Sequence, residues 1–336
     1  MNHRNIGAIV VLTLAAVFSF SWRLTDAVAQ QKPQVHITYS ENIYSTIAVV
    51  ALEKGFLAAE GLDVQSKSEG TATDVLASLI GGSTDFGVAS TSRMIAIANK
   101  KMPVMAVALN SYGFTSSVVV PKKNTTAKAM ADLKGRSIGV QVGTGTYGIW
   151  ARYLKTVRLS PKDFTLKNMD NPLVPAAIES GSIDGAVTWE PVPSALVSKG
   201  IGRVILNQDD LATPVKSTYP FFLITSTKFI EQKPDVVQKV VNAWAKSVKF
   251  IRENPEETTR IMQESLKKIV GKSFSADEVR RQVYLTHYDR IAMDDADVQD
   301  TVEIGRVFFE EGKSKSLPDI KAHVDNRFAQ KAKDIK

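Results

Sequence analysis

Short apolar runs alternate with segments of helical spacing over the first two thirds of the chain. Residues 35–39 have the apolar pattern of a strand, and residues 47–56 follow with apolar positions at helical spacing. A second short strand is predicted at residues 62–65. The same alternation continues to about residue 205, which predicts parallel sheets covered by helices.

One stretch of this pattern occurs twice. Residues 77–90 read ASLIGGSTDFGVAS, and residues 176–189 read AAIESGSIDGAVTW. In both copies a helix ends at Gly, which suits a left-handed C-cap, and Ser-x-Asp leads into an apolar strand of the kind that a doubly covered parallel sheet requires. Such units are common in α/β proteins, and the repeat indicates two similar lobes.

After residue 227 the pattern becomes helical. Apolar side chains recur at helical spacing over residues 236–248, Asn254-Pro255 is a typical helix start, and Ser275 with Glu278 fits a capping box. We expect a helical tail to about residue 312 that packs on the first lobe.

The first thirty residues have the pattern of a secretory signal peptide. Basic His3 and Arg4 precede an apolar run at residues 6–20, and residues 27–29 form a small-x-small cleavage site. The alternative is a membrane anchor, but the run is short for a spanning helix and no second hydrophobic segment follows. We predict that residues 1–29 are removed and that the protein is exported to the periplasm.

Composition narrows the possible classes further. The 336 residues carry a formal charge of +7, which becomes +6 when residues 1–29 are removed, and the basic residues are scattered. A scattered basic surface is not typical of nucleic-acid binding, and we expect no nucleic-acid partner. The chain contains no Cys, so an exported protein of this sequence must be stabilised by its core and not by disulfides.

Two strand-like stretches, residues 115–120 and 219–225, are predicted to pass between the lobes. Two such passages form a hinge about which each lobe rotates as a body. The predicted first lobe is residues 30–118 with residues 222–336, and the predicted second lobe is residues 119–221.

Polar side chains follow several of the predicted strands. Ligands of open α/β sheets lie beyond the carboxyl ends of the strands, where helix N-termini favour anions. N-capping is the alternative role for each of these hydroxyl groups. The candidate ligand-binding residues from these loops are Ser40, Asn42, Thr71, Thr73, Thr91, Ser92, Arg93, Thr144, Gly145 and Thr146.

Residues 143–148 also match G-x-G-x-x-G between a predicted strand and a predicted helix. An isolated match of this kind is a weak sign of dinucleotide binding. We interpret the segment as a cradle for an anionic or polar group and expect no cofactor.

Four further residues complete the candidate site. Trp189 offers a flat face and an N–H donor, Ser116 a hydroxyl, and Phe222 an aromatic wall, although core packing is the ordinary role of such a Phe. Glu190 either accepts a hydrogen bond from a ligand amine or braces the hinge, and a buried carboxylate facing an anionic ligand would be costly. Arg93 is a natural bidentate partner for a sulfonate or carboxylate, or else a surface residue.

Seven segments, in this order and spacing, are similar to those of one protein family. They are residues 51–57 (ALEKGFL), 60–64 (EGLDV), 82–87 (GSTDFG), 132–140 (DLKGRSIGV), 181–186 (GSIDGA), 189–191 (WEP) and 324–328 (VDNRF). The chain resembles the substrate-binding proteins of ABC importers for nitrate, sulfonate and taurine, a family that includes NMT1/THI5-like members.

This resemblance implies a type II periplasmic-binding fold of class α/β. Each lobe would be a mixed, mostly parallel sheet covered by helices, with a helical C-terminal tail and a ligand cleft between the lobes. The implied function is capture of a small organic ligand, sulfonate- or carboxylate-like, for delivery to an ABC permease at the inner membrane. We expect a monomer.

Two alternatives stay open at this point. One is a binding protein for an amine or a pyrimidine. The other is an enzyme similar to the thiamine-pyrimidine synthases, but their cysteine-rich motif is impossible in a chain without Cys. The three His that remain after cleavage, His36, His287 and His323, are widely spaced, so we expect neither a metal site nor catalysis.

Overall fold

Two five-stranded sheets form the framework of the molecule. The structure, a computed structural model, describes residues 32–40, 42–69, 72–270 and 274–332, so the predicted signal peptide lies outside the described residues. The strands are β1 Gln34–Ser40, β2 Asp63–Glu69, β3 Phe86–Ser90, β4 Val104–Tyr112, β5 Ser116–Pro121, β6 Ser137–Val140, β7 Thr165–Asn168, β8 Gly185–Trp189, β9 Gly202–Leu206 and β10 Pro220–Ser226.

The two sheets share one strand order. The first runs β2-β1-β3-β10-β4 and the second β7-β6-β8-β5-β9. In each sheet the first three strands are parallel and the fourth is antiparallel to both of its neighbours. Each lobe sheet is therefore mixed and mostly parallel, as predicted.

The chain changes sheet at two places. The first crossing is residues 113–115, between β4 and β5, and the second crossing is residues 207–219, between β9 and β10. The stretches expected to pass between lobes are instead strands β5 and β10, because each is hydrogen-bonded on both sides within one sheet.

The repeated Asp occupies equivalent positions in the two sheets. Asp85 Oδ2 accepts a hydrogen bond from the His36 N–H at 2.8 Å, and Asp184 Oδ2 accepts one from the Ser137 N–H at 2.9 Å. Each Asp N–H in turn donates to the carbonyl of the same partner at 2.8 Å. The hydrogen bonds from the Ser137 hydroxyl and N–H lower the pKa of Asp184. The repeat in the sequence thus marks the same strand-to-strand clamp in both sheets.

Helices cover the sheets and form the C-terminal region. Their bounds are α1 Thr46–Glu53, α2 Phe56–Ala59, α3 Ala72–Ile80, α4 Thr91–Asn99, α5 Gly145–Thr156, α6 Val174–Ser180, α7 Val192–Ser198, α8 Gln208–Ala212, α9 Thr227–Gln232, α10 Pro234–Glu253, α11 Pro255–Val270, α12 Ala276–Val283, α13 Asp295–Glu310 and α14 Arg327–Lys331. In the part of the chain that the structure describes, no helix has both the length and the apolar character needed to span a membrane.

The helical tail follows the expected pattern but packs more widely. Helix α11 begins at Pro255, and the capping box of Ser275 and Glu278 is present at the start of α12. Helix α13 packs against α4, beside the first sheet, and also against α5, beside the second. A Cβ on Gly148 of α5 would lie 2.7 Å from Ile304 of α13, so this Gly permits the close approach. The tail therefore contacts helices beside both sheets, in addition to the predicted packing on the first lobe.

Candidate ligand-binding site

The candidate site lies where the carboxyl ends of parallel strands meet the two crossings. The Glu190 N–H, just after β8, donates to the carbonyl of Thr115 in the first crossing at 3.2 Å. The Thr91 hydroxyl, just after β3, donates to the carbonyl of Pro220, the first residue of β10 after the second crossing, at 2.7 Å. The loop after β8 is thus bonded to the first crossing, and the start of α4 to the strand that follows the second crossing, at strand ends where a ligand of an α/β protein is expected.

On the side of the first sheet, Tyr44 reaches the first crossing. Its phenol lies 2.5 Å from the Thr115 hydroxyl, and its ring stacks on Phe221 with centroids 4.2 Å apart. Asn42 positions this Tyr, because the Asn42 side chain accepts a hydrogen bond from the Tyr44 N–H and caps the short 3-10 turn Ile43–Ser45. Burial raises the pKa of Tyr44, and Tyr219 and Glu190 raise it further, so the phenol is neutral.

A second group of hydroxyls lies at the start of α5. The Ser116 and Thr146 hydroxyls are buried and 2.9 Å apart. Tyr219 at the end of the second crossing interacts through its phenol with Thr146. Trp189 is directly opposite Ser116 in the β5–β8 register, so both side chains lie on one face of the second sheet.

Asn171 fixes the backbone of Trp189. Its side-chain oxygen accepts a hydrogen bond from the Trp189 N–H at 3.2 Å and another from the Thr188 hydroxyl, and its NH2 group donates to the Trp189 carbonyl at 3.1 Å. The Asn171 side chain is buried. Both polar groups of the Trp189 backbone are therefore satisfied by one side chain, which orients the indole.

Glu190 braces helix α7. Its carboxylate accepts hydrogen bonds from the Ser194 hydroxyl at 2.9 Å and from the Ser194 N–H at 3.3 Å. Burial raises the pKa of Glu190, while Ser194 and the positive charge of Arg281 on α12 oppose that shift. The hydrogen bonds of the Glu190 side chain are thus with the start of α7, and neither of its predicted roles, binding a ligand amine and bracing the hinge, is tested by them.

Arg93 is a half-buried cation in the first turn of α4. Burial lowers its pKa and the carboxylate of Asp74 on α3 raises it, so the guanidinium stays charged beside an acidic neighbour. The preceding Ser92 is half-buried, and its hydroxyl lies 3.2 Å from that of Ser90. Thr91 is fully buried and is bonded to β10 as described above.

Other candidates have structural roles. The Thr144 side chain caps α5, because it accepts from the Tyr147 N–H at 3.3 Å and donates to the Gln141 carbonyl. Ser40 is buried at the end of β1, and its carbonyl accepts a hydrogen bond from the Ser45 hydroxyl. Thr71 and the side chain of Thr73 lie outside the described residues.

Phe222 is fully buried between β3 and β4. The neighbouring Phe221 faces the other way, because successive side chains of a strand alternate, and it contacts Tyr44 and Tyr219. The ring of Phe221 therefore lies beside Tyr44 and Tyr219, whereas the ring of the predicted Phe222 lies on the opposite face of the first sheet.

The sequence interpretation missed Tyr44, Thr115, Asn171, Tyr219 and Arg281. Tyr44 carries a weak local signal, since it lies in the segment that follows β1, as does the predicted Asn42. Asn171 lies in the 3-10 turn before α6, and Arg281 lies in α12. Only the tertiary fold determines which residues these two side chains contact. Within the described residues, no group of three or more His, Asp or Glu side chains is arranged to hold a metal ion.

The chain is similar to known proteins over most of its length. A family model described as NMT1/THI5 like matches residues 42–258. A candidate binding protein of Brucella abortus is 28% identical over 259 residues, which cover 77% of this chain and 78% of that protein. The taurine-binding periplasmic protein of Escherichia coli is 27% identical over 237 residues, which cover 70% of this chain and 69% of that protein.

Solved structures show the same architecture. The periplasmic aliphatic sulphonate binding protein SsuA from Escherichia coli superposes with a TM-score of 0.75 and 19% sequence identity, covering 87% of this chain and 92% of that chain. The periplasmic nitrate-binding protein NrtA from Synechocystis PCC 6803 gives a TM-score of 0.65 at 16% identity, covering 89% of this chain and 88% of that one. The fold class predicted from the sequence, a two-lobed periplasmic-binding fold, is confirmed.

Proposed function

The chain belongs to the NMT1/THI5-like family, and we propose that it is the periplasmic solute-binding component of an ABC importer. The relatives reported above are binding proteins, and the chain is of that class rather than an enzyme. In this proposal, each lobe is built on one of the two sheets, and the lobe boundaries lie at the two crossings instead of at residues 118 and 222, which fall inside β5 and β10. The lobes close on the ligand by movement at the two crossings, and a permease in the inner membrane recognises the closed state.

The observation that supports this function best is the meeting of the two sheets at the first crossing. Tyr44 follows a strand of the first sheet and Glu190 follows a strand of the second, and both are bonded to Thr115 between them. A ligand bound at this point contacts elements of both lobes. Its binding free energy is then coupled to the angle between the lobes, which is what an importer's binding protein requires.

We propose that the ligand is a small organic anion of the sulfonate or carboxylate type. Its neutral hydroxyls form two hydrogen-bonded groups, Tyr44 with Thr115 and Ser116 with Thr146 and Tyr219, and each group leaves one O–H donor for a ligand. Arg93 follows β3 near the start of α4, and Arg281 interacts electrostatically with Glu190, and these two cations are the proposed sources of positive charge for the anion. Both carboxylate oxygens of Glu190 already accept from Ser194, which reduces their capacity to bind an amine. An amine- or pyrimidine-type ligand is the second candidate, favoured by the presence of that carboxylate.

Ligand-dependent stabilisation without turnover is the expected behaviour. A thermal-shift panel of alkanesulfonates, taurine, nitrate, aromatic carboxylates and pyrimidines should contain one class that raises the melting temperature by about 5 °C or more at saturating concentration.

Arg93→Ala should weaken binding of that class about tenfold or more, because a charged hydrogen bond is lost. The control is Arg252→Ala, which removes an exposed Arg of α10. A panel without any stabilising compound would contradict the proposed function.

Glu190→Gln tests how the carboxyl group of this residue affects the stability of the protein. The raised pKa means that the folded state disfavours the ionised carboxyl group of Glu190. The contribution of the protonated group to the stability of the folded protein is therefore complete below the unfolded pKa of about 4.3. That contribution is lost as the pH rises through the pKa of the folded state. We therefore expect Glu190→Gln to melt at a higher temperature than the wild type at pH 7, with the difference vanishing near pH 4.

The same variant tests the charge of the ligand. Removal of a negative charge should leave the affinity for an anion unchanged or increase it, and should lower the affinity for an amine about tenfold or more. Calorimetric titration of the best compound from the panel measures this difference. Glu179→Gln, at an exposed position of α6, is the matched control. A loss of affinity confined to Glu190→Gln would reject the anionic ligand in favour of the amine.

A further inference from the structure

The net positive charge of the protein is concentrated in one part of the chain. Residues 116–206, which form the second sheet and its helices, carry twelve Lys and Arg and six Asp and Glu. Their net charge of +6 equals that of residues 30–336, so the remainder of that range is neutral overall. A charge asymmetry of this kind indicates a partner surface of the opposite sign.

The topology brings most of these cations to one end of the second sheet. Strands β6, β7, β8 and β9 begin at this end and β5 finishes there, because β5 is antiparallel to both of its neighbours. The connections at this end are residues 122–136, 157–164, 181–184 and 199–201. They contain three acidic residues and eight exposed basic ones, which we call the basic end: Lys122, Lys123, Lys128, Lys134, Arg136, Arg158, Lys162 and Lys199.

Contacts between the connections make the basic end one continuous surface. The Lys122 N–H donates to the carbonyl of Ile201 at 2.8 Å. The Lys123 ammonium nitrogen lies 4.0 Å from the position that a Cβ on Gly181 would occupy. The Lys134 ammonium group lies 3.3 Å from a carboxylate oxygen in the connection that follows α5. Cations that are scattered in the sequence are therefore neighbours in the fold.

Few of these charges are neutralised within the protein. Among the residues that the structure describes, Lys134 with Asp163 is the one ion pair that involves a cation of the basic end. The three acidic residues, Asp132, Asp163 and Asp184, each accept a hydrogen bond from a backbone N–H group at 2.8–2.9 Å. Their carboxylates thus stabilise the local backbone, and seven exposed cations are available to a partner.

The other end of the same sheet has the opposite character. Its connections, residues 141–144, 169–173 and 190–191, contain two acidic residues and no basic one. This is the end at which Trp189 and Glu190 meet the first crossing. The basic end is therefore a separate surface from the candidate ligand-binding site.

Two exposed apolar side chains accompany the cations. Val157, directly after α5, is 43% exposed, and Val197, in the last turn of α7, is 48% exposed. Both helices end at the basic end of the sheet, since they connect the finish of one parallel strand to the start of the next. Lys and Arg together with exposed apolar groups are typical of a surface that lies on a lipid bilayer.

We propose that the basic end of the second lobe binds the surface of an anionic lipid bilayer. Lipid phosphate groups interact with the exposed cations, and Val157 and Val197 contact the headgroup region. Eight cations spread over four connections match the diffuse negative charge of a bilayer better than the few fixed carboxylates of an acidic protein. The candidate ligand-binding site at the other end of the sheet stays accessible, and the interaction does not require the proposed function.

Sedimentation with lipid vesicles tests this interaction. The protein used is the exported form, whose mass establishes that residues 1–29 and their apolar run are absent. It is mixed with vesicles of phosphatidylcholine and phosphatidylglycerol in equal parts, or with vesicles of phosphatidylcholine alone. We expect binding to the anionic vesicles to be about tenfold or more stronger at low salt and to be lost at high salt, because the attraction is screened.

A variant with Lys122→Gln, Lys123→Gln and Lys199→Gln tests the surface itself. Each cation near an anionic bilayer contributes about fivefold to the partition coefficient, so the variant should bind about a hundredfold more weakly. The matched control combines Lys249→Gln, Lys267→Gln and Lys268→Gln, which remove the same charge from exposed positions of α10 and α11. Circular dichroism establishes that both variants are folded.

The comparison of the two variants decides the role of the basic end. A loss of vesicle binding confined to the first variant supports the proposal, and equal binding by both variants overturns it. A wild type that sediments with neither kind of vesicle also overturns it, and binding to poly-glutamate alone would favour an acidic protein partner instead. Thermal shifts with small ligands do not depend on these results, so a failure of the proposed function is seen separately.

Discussion

Asp300→Ala is expected to lower the free energy of unfolding by about 3–5 kcal/mol, the usual cost of removing one partner from a buried ion pair. The Asp300 side chain is 2% exposed and that of Arg152 is 16% exposed, with the charged atoms 2.6 Å apart. The substitution also leaves the Tyr219 N–H and the Ser217 hydroxyl without their acceptor. Arg152, Ser217 and Tyr219 all lose Asp300 as their partner at once. The loss of stability should therefore exceed that caused by removing an ordinary surface ion pair.

Equilibrium urea unfolding measures this loss. Asp295→Ala is the matched control, since it removes an exposed Asp from the first turn of the same helix and should cost less than about 1 kcal/mol. The affinity for the ligand should fall as well, because the second crossing and the Tyr219 phenol are released. A cost for Asp300→Ala no larger than that of the control would show that the crossing is not held through this carboxylate.

The architecture was predictable because its signals are local. Strand and helix periodicities are read within short windows, and they gave the alternation that produces two covered sheets. The repeat that contains Asp85 and Asp184 was informative for a physical reason. Each Asp accepts the N–H of the neighbouring parallel strand, so the same local sequence is needed wherever that clamp is built.

The candidate site was predicted less completely, because each hydroxyl has two possible uses. Thr144 caps its own helix, and Thr91 is bonded to the carbonyl of Pro220. Ser116 and Thr146 do meet at the start of α5. Local sequence does not distinguish these outcomes, because capping and ligand binding favour the same residue types at the same position.

The aromatic residues show where local pattern ends. Phe221 and Phe222 are adjacent in β10, and only the register of that strand between β3 and β4 decides which of them faces Tyr44. Tyr219 depends on Asp300, a residue 81 positions away in the sequence. Contacts between residues so far apart in the sequence depend on how whole helices and strands pack together. The residues near each position in the sequence carry no signal for that packing.

Gly113→Ala is expected to destabilise the protein by about 3–5 kcal/mol through strain and steric overlap combined. Gly113 lies in the first crossing with a φ of +129°, a region that is almost closed to other residues. An added Cβ would lie 2.9 Å from the Leu285 carbonyl oxygen and 3.1 Å from the Thr286 Cα. Both are backbone atoms, so relief requires movement of a whole segment. The Gly113 N–H also donates to the Thr218 carbonyl at 2.8 Å, which joins the two crossings.

Gly143→Ala is the control that introduces a side chain at a positive φ without steric overlap. Gly143 has a φ of +84°, but a Cβ there would meet no atom within 4 Å, so its cost should be the strain alone, about 1 kcal/mol. Urea unfolding of the two variants gives the difference directly. Because displacement of Gly113 in the first crossing also moves the start of β5 relative to the first sheet, Gly113→Ala should bind ligand more weakly than Gly143→Ala. Equal costs for the two substitutions would mean that the chain around Leu285 yields freely, and that the first crossing is not fixed by this contact.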